Sequence, residues 1–231
     1  MDLQNHQPST INHPPKIKVC GLTKLTQIQE LTALNTDFLG FIFYEKSPRY
    51  VLDSLTLDEM KSINHQGKVG VFVNENVGKI VEITEKGKLN YIQLHGDEDE
   101  NYVSDLREKL NPEIGIIKVI RVGNQSSDDL RKTINSQRST ITYLLFDTDS
   151  KAFGGTGKTF DWQLLNKIEI PIPYFLSGGI SLENIHQLST LNAQPFALDI
   201  NSKFEIEPGN KNLTEIKVFT SIVRTSTVNN P

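Results

Sequence analysis

Eight short apolar runs punctuate this chain, at residues 17–20, 38–43, 68–73, 90–95, 115–120, 142–147, 173–177 and 196–200, with longer amphipathic stretches between them. After the first run, Leu25, Ile28, Leu31 and Leu34 fall on one helical stripe. After the eighth, Ile216, Phe219, Ile222 and Val223 form another. Strands that alternate with helices are joined by crossovers rather than hairpins, so they pair in parallel through right-handed βαβ units. Eight such strands followed by a helix predict an α/β fold, a single-domain (β/α)8 TIM barrel. A doubly wound open sheet is the competing architecture. The first unit holds no GxGxxG between strand and helix, which weakens a dinucleotide-binding version. The expected layout is a flexible tail over 1–15, the barrel over 16–224 and a short tail over 225–231.

Charge and cysteine usage narrow the function classes. The formal net charge is −4, and no basic stripe with interleaved aromatics marks a nucleic-acid surface. Cys20 is the single cysteine, which excludes an internal disulfide, fits a reducing compartment and leaves no cysteine cluster for zinc. The first fifteen residues lack the basic start and apolar core of a signal peptide. No apolar run approaches the ~20 residues needed to cross a bilayer. The expectation is a cytoplasmic protein with no membrane or nucleic-acid partner.

Polar residues at the strand ends point to chemistry. Strand 1 ends in Cys20, strand 4 in His95, strand 6 in Asp147 and strand 7 in Ser177-Gly178-Gly179, while strand 8 carries Asp199 near its end. In a barrel these ends share one face, where active sites sit. A lone cysteine or histidine is ordinarily core filler; several reactive groups at the same end of different strands are not. The strand alternation puts Lys18 on the face of Cys20, one layer deeper, and Gln93 on the face of His95. A buried Lys18 demands an acceptor that the sequence does not name. After Asp147, Gly154, Gly155 and Gly157 frame Thr156 in a loop whose backbone N–H groups suit a phosphate. Phe160-Asp161-Trp162 then opens a helix. The run Asp97-Glu98-Asp99-Glu100 reads as an N-cap with an acidic first turn rather than a metal site. A long loop over 44–55 carries Lys46 and Arg49 and has the character of a binding lid.

In this order the motifs resemble the phosphoribosylanthranilate isomerase family over about residues 16–219. The resemblance rests on Lys18-Val-Cys-Gly-Leu-Thr23, Gly40-Phe-Ile-Phe-Tyr44 with Ser47-Pro-Arg-Tyr-Val51, and Gln93-Leu-His-Gly-Asp-Glu98. It continues through Asp147-Thr, Gly154-Gly-Thr-Gly157, Phe160-Asp-Trp162 and Phe175-Leu-Ser-Gly-Gly179. It closes on Asp199-Ile-Asn-Ser202 with Glu205 and Pro208-Gly209. It implies an Amadori rearrangement of a phosphosugar, N-(5-phosphoribosyl)anthranilate, in tryptophan biosynthesis, with no cofactor and no metal, by a monomer or homodimer. Position by position it makes Asp147 the general acid and Cys20 the general base. Arg49 becomes the clamp on the anthranilate carboxylate, with His95 and Asp199 also toward the substrate. The phosphate then rests on Gly155, Thr156, Gly178, Gly179, Asn201 and Ser202.

Two departures stand out. Glu45 precedes Lys46 where the family often has proline. Lys203-Phe204 replaces a usual Gly-Val after Ser202, which offers Lys203 either to the phosphate or to solvent. Other phosphosugar barrel enzymes remain as alternatives, including an aldolase for which Lys118 is the obvious Schiff-base lysine. A barrel that binds without catalysis is a further alternative.

Overall fold

The computed structural model describes residues 13–123, 125–136, 140–149 and 159–225. Eight parallel strands close into a barrel in chain order: β1 Lys16–Val19, β2 Phe38–Ile42, β3 Lys68–Phe72, β4 Tyr91–Leu94, β5 Gly115–Val122, β6 Tyr143–Thr148, β7 Tyr174–Leu176 and β8 Ala197–Ile200. β1 pairs with both β2 and β8, so the ring has no free edge and no open-sheet alternative survives. Every one of the eight expected runs became a strand.

The period-two alternation of the strands divides two cores. Side chains of one parity, such as Phe41, Phe72, Ile92, Leu94, Phe146 and Leu198, pack outward against the helices. Those of the other parity fill the inside: Phe38, Val69, Ile117, Val119, Leu145, Phe175 and Ala197. At the amino ends of the strands the interior is an aromatic floor. Phe38 meets Tyr91 edge-on at 5.4 Å, and Tyr143 stacks on Phe196 at 4.8 Å. Lys16 lays its ammonium over Phe196, 5.2 Å from the ring centre.

The helices are α1 Leu25–Ala33, α2 Leu57–Ser62, α3 Val77–Gly87, α4 Glu100–Lys109, α5 Ser127–Ser136 and α6 Leu213–Thr225. Their starts follow local chemistry. Thr56 and Glu59 form a reciprocal capping box on α2, and Asn76 caps α3. In the acidic run, Asp99 is the N-cap of α4, accepting from the N–H of Tyr102 at 2.9 Å. Glu98 instead turns inward to Lys118. The helix expected at Trp162 forms, capped by Asp161, but as a 3₁₀ helix over Trp162–Lys167; a second 3₁₀ helix spans Ile185–Thr190. On α6, Ile216, Phe219 and Val223 are buried as expected, whereas Ile222 lies on the exposed side of the stripe at 36% exposure.

Two irregular segments matter for the site. Residues 44–55 are anchored by the buried Val51 and Leu55, with Tyr50 bridging to Ile42. After β8, strands β9 Glu205–Glu207 and β10 Asn210–Lys211 form a small antiparallel hairpin. Gly209 takes φ +81° at its turn, and a Cβ there would strike the Thr23 hydroxyl. Gln27 of α1 ties the hairpin down, donating to the carbonyl of Lys211 and accepting from its N–H, each at 2.9 Å. Among the described residues no helix is long and apolar enough to cross a membrane.

Candidate active site

The interior parity of β1 places Lys18 and then Cys20 on the way to the barrel mouth. Lys18 is wholly buried. β1 and β8 are aligned so that Lys18 lies beside Asp199, and its ammonium donates to Asp199 Oδ1 at 2.9 Å. This is the acceptor that the sequence required without naming. Burial alone lowers a lysine's affinity for its proton, but the Asp199 carboxylate and the Cys20 sulfur outweigh it, and Lys18 ends above the ordinary lysine range. One carboxylate oxygen of Asp199 is thus engaged by the Lys18 ammonium.

Cys20 lies just past β1, buried, its N–H on the carbonyl of Ile200 at 2.9 Å. A Cβ on Gly40 of β2 would come within 2.9 Å of the sulfur, so glycine is what lets β2 pass beside the thiol. Burial pushes the thiol's pKa up, against the pull of Lys18 and Lys211.

Asp147 sits near the end of β6 and His95 just past β4. His95 Nε2 lies 3.3 Å from Asp147 Oδ2, and the N–H of Thr148 donates to Asp147 Oδ1 at 2.8 Å. Behind the imidazole, Gln93 Nε2 stands 2.9 Å from His95 Nδ1. The three form a buried chain from Gln93 through the ring to the carboxyl. Gly178 closes in at φ +84°, where a Cβ would lie 3.2 Å from Asp147 Oδ1.

Arg49 is nearly buried, and its fork is already paired. Nε lies 3.0 Å from both oxygens of Glu205, and Nη2 donates to Oε2 at 2.6 Å. Glu205 also accepts from Lys211 Nζ at 2.6 Å, and Lys211 donates to Asn201 Oδ1 at 2.8 Å. The two cations hold the Glu205 carboxyl below the usual carboxylate range in spite of its burial. Sequence reasoning missed Lys211. The available signal was the Pro208-Gly209 turn, which sends the chain straight back to Arg49 and Asn201.

The remaining expectations divide. Gly178 and Gly179 both take positive φ after β7, and among the described residues their N–H groups have no hydrogen-bond partner. Asn201 and Ser202 follow β8 and begin the turn into the hairpin. Gly155 and Thr156 lie outside the described residues. Lys203 and Lys46 are exposed. Lys118 does not serve an aldolase: its neighbours Ile117 and Val119 face the barrel interior, and Lys118 faces away to Glu98 Oε2 at 2.7 Å. No group of three or more His, Cys, Asp or Glu among the described residues converges as a metal set.

Residues 17–221 match the family model for N-(5'-phosphoribosyl)anthranilate (PRA) isomerase. The chain belongs to this isomerase family. An N-(5'-phosphoribosyl)anthranilate isomerase from Parabacteroides distasonis is 37% identical over 88% of this chain and 90% of its own. A monomeric form of the dimeric isomerase from Thermotoga maritima superposes with a TM-score of 0.72 at 30% identity, over 90% of this chain and 98% of its own. A phosphoribosylanthranilate isomerase solved with reduced 1-(o-carboxyphenylamino)-1-deoxyribulose 5-phosphate superposes with a TM-score of 0.69 at 29% identity, covering 89% and 96%. The isomerases thus share the closed barrel over nearly the whole described chain.

Proposed function

We propose that Cys20 and Asp147 divide the proton transfers of the isomerase reaction between them. The chain is an N-(5'-phosphoribosyl)anthranilate isomerase of tryptophan biosynthesis, turning an aminoaldose into an aminoketose. The single observation that carries the assignment of roles is the convergence at one barrel mouth. Cys20 stands just past β1, one layer above the Lys18–Asp199 pair, and the His95–Asp147 pair stands at the same ends of β4 and β6.

Asp147 gives its proton to the furanose ring oxygen as the bond from that oxygen to C1′ breaks. The anilino nitrogen's lone pair forms the C1′=N bond, leaving a protonated Schiff base. Cys20, as thiolate, takes the C2′ proton. The C–H electrons become a C1′=C2′ double bond and neutralise the nitrogen. The resulting enaminol tautomerises to the ketone. His95 orients the Asp147 carboxyl and lines the pocket, and Asp199 offers its other oxygen to a sugar hydroxyl.

Arg49 serves the anthranilate carboxylate with the Nη1 edge that Glu205 leaves open, so Glu205 aims the clamp. The phosphate rests on the N–H groups of Gly178 and Gly179, with Asn201 and Ser202 beside them and Gly155 and Thr156 completing the cradle. That position matches the habit of barrels that bind phosphate after strands 7 and 8. No cofactor or metal enters these steps. Residues 16–224 form the catalytic unit, with tails over 1–15 and 225–231, acting in the cytoplasm as a monomer or homodimer.

The anthranilate group's fluorescence reports turnover. With freshly made substrate the native protein changes it; Asp147→Asn and Cys20→Ala abolish the change while substrate still binds. Full turnover in either variant removes that residue from the reaction. For Arg49→Ala the expected result is weaker binding. A turnover defect at unchanged affinity argues against the clamp.

A further inference from the structure

The residue after His95 is gripped at both of its backbone groups. Gly96 donates its N–H to Glu98, 3.1 Å from Oε1 and 3.0 Å from Oε2, and its carbonyl accepts from Lys118 Nζ at 3.3 Å. Lys118 and Glu98 are themselves an ion pair at 2.7 Å with both side chains buried. Glu98 Oε1 also accepts the N–H of Asn74, past the end of β3, at 2.9 Å. Asn74 Oδ1 in turn accepts from the Asp97 N–H at 2.7 Å. The His95 N–H is tied to the Phe72 carbonyl at 2.8 Å. Every backbone N–H from His95 to Asp97 is therefore fixed. A Cβ on Gly96 would lie 2.7 Å from Glu98 Oε1, so the grip needs glycine there.

A strand-to-helix turn does not require such a device. Asp99 already caps α4, and Thr56 and Asn76 start α2 and α3 from the surface. A buried ion pair is a poor source of stability, since apolar side chains of similar size often serve as well. Among the described residues, the other buried pairings of lysine or arginine with a carboxylate, Lys18–Asp199 and Arg49–Glu205–Lys211, stand at the barrel mouth. Lys118–Glu98 lies on the outer side of the strands, yet the main chain it holds is the one that carries His95 to Asp147.

We propose that Glu98, held by Lys118, is a positioning residue that acts through His95: it fixes the His95–Gly96 peptide so that the imidazole stays against the Asp147 carboxyl. This rests on the reading of Asp147 as the acid and His95 as the group that orients it. The contact between His95 Nε2 and Asp147 Oδ2 spans 3.3 Å, already at the long end for a hydrogen bond. A main-chain shift of a few tenths of an ångström in the wrong direction breaks it. Gln93 steadies the ring from behind at 2.9 Å but leaves the main chain after His95 untouched. Glu98 supplies that missing restraint, and Lys118 balances its charge out of water.

The test separates the acceptor from the charge. Glu98 Oε1 alone reaches both N–H groups, so an amide oxygen can replace it once the lysine is removed. In Lys118→Met with Glu98→Met, kcat per folded molecule is expected to fall about tenfold. KM should stay near native, because the groups proposed for the substrate anions are untouched. Lys118→Met with Glu98→Gln should recover most of the loss. Gly96→Ala keeps both charges but presses a methyl on Glu98, and should lower kcat in the same way; it carries the test if the double variants fail to fold. In protein labelled at its histidine nitrogens, the His95 ring signals are assigned by their loss in His95→Asn. They should move in Gly96→Ala and in Lys118→Met with Glu98→Met. They should stay in place in Phe175→Ala, which is destabilised at the far end of the barrel. Native kcat with unmoved ring signals overturns the proposal, as does an equal loss of kcat with methionine and with glutamine at position 98. Native turnover in His95→Asn instead rejects the reading of His95, and moved ring signals would then leave the grip on its main chain standing.

Discussion

Lys18 shows how one buried charge constrains a site. Its ammonium is wholly buried and, among the described residues, is answered by the Asp199 carboxylate. Removing one partner of such a pair strands the other. Lys18→Met is therefore expected to cost about 3–5 kcal/mol in urea unfolding. Lys18→Met combined with Asp199→Asn should recover part of that loss. Equal destabilisation in the single and double variants would show that packing, not charge, is responsible. Lys68 makes the opposite case. It is buried with no carboxylate partner among the described residues, its ammonium on the carbonyls of Met60 and Gly87 at the ends of α2 and α3. Burial, with help from Lys88, lowers its pKa from 10.5 to about 8. Between about pH 8 and its unfolded value the unfolded chain binds more protons, so stability rises with pH through that window. The expected gain is about 1–3 kcal/mol, trimmed because helix-end carbonyls favour the charged form. Unfolding series at several pH values should show this slope, and Lys68→Met should flatten it.

At the scale of elements, the turn after β7 does two tasks at once. Gly178 holds φ +84° and leaves room for Asp147 and Thr148 beside it. Gly178→Ala is expected to lower stability by about 1–2 kcal/mol through backbone strain. On the proposed role of Asp147 it should also reduce kcat much more than the loss of folded protein explains, since the new methyl would strike Thr148 and crowd the Asp147 carboxylate. A variant that unfolds more readily but turns over normally when folded would separate the turn from the chemistry. The segment over 44–55 reads as a lid in the sequence because it is long and basic. In the fold Val51 and Leu55 bury in the outer core and Glu205 grips Arg49. The Arg49–Glu205 contact joins residues 156 positions apart, which no local pattern encodes.

Across the whole molecule, stability and chemistry occupy opposite ends of the strands. The aromatic floor at the amino ends carries packing alone, whereas the carboxyl ends carry Cys20, His95, Asp147 and Asp199. Phe175, fully buried between Phe38 and Tyr143, belongs to the packing end. Phe175→Ala is expected to cost about 3–5 kcal/mol with little change in KM or in kcat per folded molecule. Calorimetry beside kinetics at low temperature reads the two apart, and a large kinetic effect in the folded variant would show that the floor and the mouth are coupled.

The sequence by itself determined the strand count, the barrel and the reactive groups at the strand ends. Period-two and helical patterns are local, and the parity of a strand fixes which side chains face inward. It also required an acceptor for Lys18, because a buried ammonium always needs one. Which carboxylate answers it, that Arg49 is gripped by Glu205, and that Lys211 lies against the site were decided only by tertiary structure. Those pairings join residues at opposite ends of the chain. They exist because closing the ring brings β8 beside β1 and folds the hairpin after it over the mouth.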